Sequence, residues 1–127
     1  MAKYKCNIDA SFSSSLSRVG LGMCIGNDVG EFVLAKTDWF APLCDVDVGA
    51  VVGLHTSLEW ISNLQFDNVD FAYDCKRVVD HVNVDVDDNS EFDCIIDACR
   101  RLLRNSFQNS HVEFNRRQVN GVAHELA

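Results

Sequence analysis

Two aspartates of this 127-residue chain occupy positions where acidic side chains are uncommon. Asp9 lies within the strand-like segment KYKCNIDASF, between two apolar residues, and Asp74 ends the apolar segment NVDFAYD. A buried carboxylate costs several kcal/mol unless it is paired, hydrogen-bonded or bound to a metal. If the two segments are parallel neighbours in a sheet, their carboxylates meet near its centre and favour a shared cation. A turn role for Asp9 and a capping role for Asp74 are the simpler alternatives.

A helix is predicted over residues 45–64, and its first turn has few side chains with functional groups. Asp45 or Asp47 can cap its start, and an apolar stripe at helical spacing follows. That stripe consists of Val51, Leu54, Leu58 and Ile61. Between the cap and the stripe lie Gly49 and Ala50, whose side chains can neither bind a metal nor titrate. Beyond the capping aspartate, this turn therefore contributes no functional group of its own.

The order of the predicted elements determines how these positions meet. Short turns join the first three strands, which predicts an antiparallel meander. The fourth strand follows a long helix, so a right-handed crossover should place it parallel to the first. The predicted strands are 3–12, 19–28, 31–40, 68–74 and 110–116, and the predicted helices are 45–64, 75–82, 91–105 and 118–127. The order is therefore βββαβααβα, within one domain over residues 1–127.

Composition excludes several classes of protein. The net charge of −8 argues against a nonspecific nucleic-acid binder, although it suits a site where cations bridge carboxylates to phosphate. No apolar run is long enough to span a membrane, and the start of the chain lacks the apolar core of a signal peptide. The six cysteines form no C-x-x-C pair. We therefore expect reduced thiols and an intracellular location, nuclear or cytoplasmic.

Four segments, taken in order, resemble the ribonuclease H-like domain in its plant and retroelement-derived form, the type associated with reverse transcriptases. They are CNIDASF, DVDVGAVVGLHTSLEWI, VDFAYDCKRVVD and VEFNRRQVNGVAHELA. The specific signals are Asn7-x-Asp9, Asp74 at a strand end, and the pattern R-x-x-N-x-x-A-x-x-L-A that begins at Arg117. The resemblance covers essentially the whole chain. It implies an α/β ribonuclease H-like fold with a five-stranded mixed sheet, three antiparallel strands and then two parallel, flanked by helices.

The resemblance also implies a site of four carboxylates that binds two magnesium ions and hydrolyses the RNA strand of an RNA–DNA hybrid. Asp9 and Asp74 match two of its catalytic and metal-binding positions. The first-helix glutamate falls on Ala50, and the last-helix aspartate falls on His124. We expect Mg²⁺ or Mn²⁺ to bind weakly, because two of the four carboxylates are missing. For His124, a manganese ligand, a proton shuttle and an ordinary surface histidine all remain open.

Four residues are predicted to contact nucleic acid. Lys76 and Arg77 follow Asp74, while Arg117 and Asn120 match the start of the family's last helix, where Asn120 also suits a helix cap. The expected partners are an RNA–DNA hybrid or another nucleic acid, and a reverse transcriptase-type domain. Two functions stay open at this point. The chain is a hybrid-cleaving endonuclease with an impaired site, or a catalytically silent fold that binds nucleic acid or protein.

Overall fold

The structure is a computed structural model that describes residues 3–13, 18–40, 46–66, 68–84, 90–107 and 110–114. Its elements are β1 (Tyr4–Ser13), β2 (Arg18–Asn27), β3 (Phe32–Phe40), α1 (Val46–Asn63), β4 (Val69–Tyr73), α2 (Lys76–Asn83), α3 (Glu91–Ser106) and β5 (Val112–Phe114). The predicted elements are therefore confirmed in type and order from the first strand to the fifth. The predicted last helix, 118–127, lies outside the described residues.

The strands form one mixed sheet in the order β3-β2-β1-β4-β5. β1 and β2 are antiparallel, as are β2 and β3, whereas β4 runs parallel to both β1 and β5. This arrangement confirms the predicted fold class and the parallel pairing of the first and fourth strands. β1 lies at the centre of the sheet, and Asp9 in the middle of this strand is fully buried.

α1 lies against the sheet through the apolar stripe that the sequence predicts. All four residues of the stripe are fully buried and join the main core cluster. α1 and α3 pack against each other. Across the core, the rings of Phe71 in β4 and Phe107 after α3 meet edge to face, 5.1 Å between centroids. Among the helices that the structure describes, none has both the length and the apolar character needed to span a bilayer.

Local signals in the sequence set two of the element boundaries. The Ser90 hydroxyl accepts a hydrogen bond from the Asp93 backbone N–H and so caps α3. The β2–β3 turn is closed by the Asn27 side chain, whose Oδ1 accepts from the backbone N–H groups of Val29 and Glu31. Gly30 in this turn has φ of +86°, a left-handed conformation that favours glycine. The turn holds β3 in register beside β2.

Candidate active site

Asp9 and Asp74 occupy adjacent positions on two neighbouring parallel strands, just beyond the last pair of the β1–β4 ladder. The last residues paired between β1 and β4 are Ile8 and Tyr73, and each aspartate is the next residue along its strand direction. Asp9 has no solvent-exposed surface, and Asp74 is partly buried. β4 ends at this point while β1 continues to Ser13, so the parallel register places Asp74 beside the middle of the central strand, next to Asp9.

Tyr73 shares the surroundings of both aspartates. Burial raises the pKa of its phenol well above the ordinary value, and the nearby Cys75, Asp74 and Asp9 raise it further. A phenol in this environment keeps its proton and acts as a hydrogen-bond donor.

The two carboxylates fit one divalent cation. Oδ1 of Asp9 and Oδ2 of Asp74 are each shielded from solvent and accept no hydrogen bond, while both residues have further interactions. Such oxygen atoms are hard ligands, the kind that Mg²⁺ and Mn²⁺ prefer, and Mg²⁺ commonly uses only one or two protein carboxylates. In the described parts of the chain, no group of three or more His, Cys, Asp or Glu side chains can hold a metal ion. The described residues therefore fit one divalent cation. They do not include enough ligands for a second cation.

Ala50 lies in the first turns of α1, close to the same region. It is 3% exposed, and its backbone carbonyl accepts a hydrogen bond of 2.7 Å from the Tyr73 hydroxyl. One turn further, a methyl group on Gly53 would lie 3.2 Å from the Tyr73 oxygen and 3.1 Å from Cδ1 of Leu21. The phenol therefore fits because residue 53 has no side chain. Sequence reasoning missed this contact, and the unusual glycine within a helix was the available signal.

Asp47, one turn before Ala50, is directed towards α2. Its carboxylate forms an ion pair of 2.6 Å with Arg77, and the Arg77 guanidinium also lies 5.1 Å above the Phe92 ring. Burial raises the pKa of the Cys75 thiol, and Asp47 and Asp74 raise it further, so both carboxylates lie near this thiol. Asp47 therefore links α1 to α2 at the border of the candidate site, one turn before Ala50.

A family model described as reverse transcriptase-like matches residues 7–127. The chain belongs to this reverse transcriptase-like family. A sequence search among proteins with curated descriptions gives no match.

Solved structures related to this reverse transcriptase-like chain have the same fold. Ribonuclease H1 from the halophilic archaeon Halobacterium salinarum superimposes with a TM-score of 0.85 at 18% identity, over 98% of this chain and 94% of that one. LC11 ribonuclease H1, isolated from compost and solved with an RNA/DNA hybrid, gives a TM-score of 0.82 at 14% identity, over 98% and 93% of the two chains. A foamy viral protease–reverse transcriptase in complex with an RNA/DNA hybrid gives 0.67 at 15% identity, over 99% of this chain and 19% of that one.

The structure describes two of the four residues that are predicted to contact nucleic acid. Lys76 and Arg77 both lie on the exposed side of α2, directly after Asp74, but each takes part in an ion pair. The partner of Lys76 is Asp80, at 2.7 Å, and the partner of Arg77 is Asp47. The remaining residues with predicted roles lie outside the described residues. They are the predicted nucleic-acid contacts Arg117 and Asn120, and His124 at the position of the last-helix aspartate.

Proposed function

We propose that this domain hydrolyses the RNA strand of RNA–DNA hybrids as a ribonuclease H-type endonuclease, at a rate reduced by the missing carboxylate at residue 50. The observation that carries the proposal is the adjacency of Asp9 in β1 and Asp74 after β4, one residue beyond the last pair of their parallel ladder. Two carboxylates held together in a poorly solvated region repel each other unless they share a cation or a proton. The fold and the family are consistent with this activity, and related structures were solved with hybrids.

Asp9 and Asp74 would hold the divalent cation, Mg²⁺ or Mn²⁺. When bound, such a cation neutralises the charge on a phosphate and makes a bound water more acidic. The chain supplies two hard oxygen ligands in a largely buried position. Substrate phosphate oxygens and water would complete the coordination. A second cation would need further carboxylates, and Ala50 provides none. We therefore propose that the site works with one weakly held cation, with His124 as a candidate additional ligand.

Residue 50 also affects the choice of substrate strand. In the family that the chain resembles, the first-helix glutamate contacts the 2′-hydroxyl group that distinguishes RNA from DNA. Ala50 has no side-chain acceptor, so this contact is lost. We propose that the domain binds hybrids through their phosphates, with Lys76 and Arg77 on α2 and Arg117 and Asn120 beyond β5, and that it discriminates weakly between RNA and DNA strands.

The test is a cleavage assay on a labelled RNA–DNA hybrid in Mg²⁺ and in Mn²⁺. We expect slow cleavage that Mn²⁺ supports better than Mg²⁺, and none after Asp9→Asn. Ala50→Glu should accelerate the Mg²⁺ reaction by on the order of 100-fold, the scale at which one charge-stabilising group affects kcat. The matched control is Asn63→Glu, which adds the same charge at the exposed far end of α1. Absence of cleavage by the wild type and by Ala50→Glu in both metals would overturn the enzyme proposal.

A catalytically silent binding module is the second candidate. The absence of a third metal-ligating side chain near Asp9 and Asp74, within the described residues, is the observation that favours it. In that case the wild type should bind the hybrid in low salt, where electrostatic association is strongest, and Ala50→Glu should bind without cleaving. A reverse transcriptase-type partner domain is a further proposal, supported by the foamy viral protein, of which this chain covers 19%.

A further inference from the structure

β3 forms one edge of the sheet, and no strand among the described residues lies beyond it. Large apolar side chains along this edge are exposed to solvent, including Phe32 at 66% and Trp39 at 47%. Val33 and Leu34 are also exposed. A long edge strand with exposed apolar residues is a template for pairing with another strand. The edge carries none of the proline residues that commonly prevent such pairing.

The backbone of β3 offers hydrogen-bonding groups outwards. The Trp39 backbone N–H donates to Oδ1 of the neighbouring Asp38, at 2.9 Å, and so does not serve the ladder with β2. Backbone groups alternate in direction along an antiparallel strand. The N–H and C=O groups of Ala35 and Thr37 therefore face outwards as well, away from β2.

We propose that β3 pairs antiparallel with β3 of a second copy of this chain, around a twofold axis that passes through Thr37. In this register, Lys36 of each copy lies opposite Asp38 of the other. The Asp38 carboxylate releases the Trp39 N–H of its own chain, which then donates to the second copy, and two equivalent ion pairs form. The neighbouring pairs are Leu34 with Phe40 and Ala35 with Trp39, so apolar residues face apolar residues. Opposite charges and apolar pairs placed directly across two strands stabilise a sheet.

Lys36 and Asp38 are on the side of the strand that the pairing requires. Their partners across the β2–β3 ladder are Met23 and Leu21, which are both fully buried in the core, so the two charged side chains share one face. The Lys36 ammonium group lies 5.8 Å from the centroid of the Trp60 ring of α1, on that face. A twofold interface is self-complementary by symmetry, and this strand meets that condition.

Comparison with the register shifted by one residue explains why the twofold axis passes through Thr37. A twofold axis through Lys36 would place the two Lys36 side chains against each other and Leu34 against Asp38. Like charges directly opposite are unfavourable in a sheet, and so is an apolar side chain facing a carboxylate. The charges of β3 therefore select one register of self-pairing.

Sedimentation velocity over a concentration series tests the proposal with the full chain. The wild type should reach twice the monomer mass at high concentration and dissociate on dilution. Lys36→Asp and Asp38→Lys should each remain monomeric, because each variant places like charges opposite one another. An equimolar mixture of these two variants should form a heterodimer, because the mixture restores both ion pairs. The matched controls are Arg101→Asp and Asp97→Lys on the exposed side of α3, which should dimerise like the wild type.

A backbone variant provides an independent test. Thr37→Pro removes an outward N–H group without removing a β2 ladder bond, so it should abolish dimerisation while the circular dichroism spectrum stays unchanged. The proposal is overturned if the wild type stays monomeric at the highest soluble concentration, which would leave the edge to a partner of different sequence. It is equally overturned if the charge variants dimerise, or if their mixture does not.

Discussion

The hydroxyl group of Tyr73 donates a hydrogen bond of 2.7 Å to the backbone carbonyl of Ala50. This bond joins the end of β4, one residue before Asp74, to the beginning of α1. Burial and the nearby acidic groups raise the pKa of the phenol, which favours the protonated form that donates this bond. The contact therefore fixes the distance between the two elements that frame the candidate site.

Removal of this hydroxyl group should weaken the fold and relieve the crowding at Gly53. Tyr73→Phe should lower the free energy of unfolding by about 1 kcal/mol, the typical net value of a hydrogen bond. In the wild type, the gain in helix propensity from Gly53→Ala should be offset by its close contacts with Leu21 and the phenol. With Tyr73→Phe present, Gly53→Ala should be more favourable by on the order of 1 kcal/mol.

Urea denaturation of the two single variants and the double variant measures this coupling. Tyr4→Phe in β1, combined with Gly53→Ala, is the matched control, because Tyr4 pairs with Val69 at the opposite end of the parallel ladder. That combination should be additive. Additivity of the Tyr73 and Gly53 changes as well would contradict the packing described for residue 53.

Neutralisation of Asp9 should stabilise the metal-free protein and remove its response to cations. Because Asp9 and Asp74 repel each other, Asp9→Asn should raise the Tm in EDTA by a few degrees, equivalent to roughly 1 kcal/mol in a domain of this size. Mn²⁺ or Mg²⁺ should raise the Tm of the wild type and leave that of Asp9→Asn unchanged. Differential scanning fluorimetry reports both effects.

Asp97→Asn on the exposed side of α3 is the control for the cation experiment and should respond to cations like the wild type. If Asp9→Asn lowered the Tm in EDTA and kept the response to Mn²⁺, the two aspartates would not form the cation site.

The Asp47–Arg77 ion pair should compete with the binding of nucleic acid by α2. Asp47→Asn releases Arg77, so the affinity for an RNA–DNA hybrid in low salt should increase, whereas Arg77→Ala should reduce it and lower the salt dependence by about one released counterion. Both side chains are substantially exposed, so each change should cost at most about 1 kcal/mol of stability. Fluorescence anisotropy over a salt series measures these effects, and equal affinities of the two variants would exclude Arg77 from the interface.

Stability should fall in alkaline solution because of buried thiols. Burial raises the pKa of Cys99 from 9.0 to about 12, so the unfolded chain loses this proton first as the pH rises. The contribution of Cys99 to stability is complete below pH 9 and is lost progressively between pH 9 and about 12. Within that window the free energy of unfolding should fall by up to about 1.4 kcal/mol per pH unit for this group.

Cys99→Ala should flatten the alkaline slope, whatever its own stability at pH 7. Cys94→Ala is the matched control, because Cys94 is exposed on the same helix and should leave the slope unchanged. Urea denaturation at several pH values gives both slopes. An identical slope in the wild type and in Cys99→Ala would show that Cys99 does not titrate between the two states.

The sequence predicted the sheet because its signals there are local and repeated. Alternating strands, one turn and one long helix determine the order β3-β2-β1-β4-β5, and this order places Asp9 next to Asp74. The contacts around the site depend instead on which side chain reaches across the fold. No periodic pattern in the sequence predicts the hydrogen bond from Tyr73 to Ala50. The same is true of the ion pair between Asp47 and Arg77.

The exposure of β3 illustrates the same distinction. Its sequence, FVLAKTDWF, has the β-branched and aromatic residues of a strand, and strand propensity alone does not say which strand forms the edge. The position follows only from the complete sheet order, because β1 and β4 pair and leave β3 outside. The predicted roles of Arg117, Asn120 and His124 stay predictions.

The acceptor of the Tyr73 bond is a main-chain oxygen, which every residue at position 50 possesses. The anchorage of α1 is therefore independent of which side chain the gene encodes there. Substitutions at residue 50 can therefore change the chemistry at the start of α1 without removing the bond that holds this helix to β4. The chemical character of the site and the anchorage of the helix can vary independently in evolution.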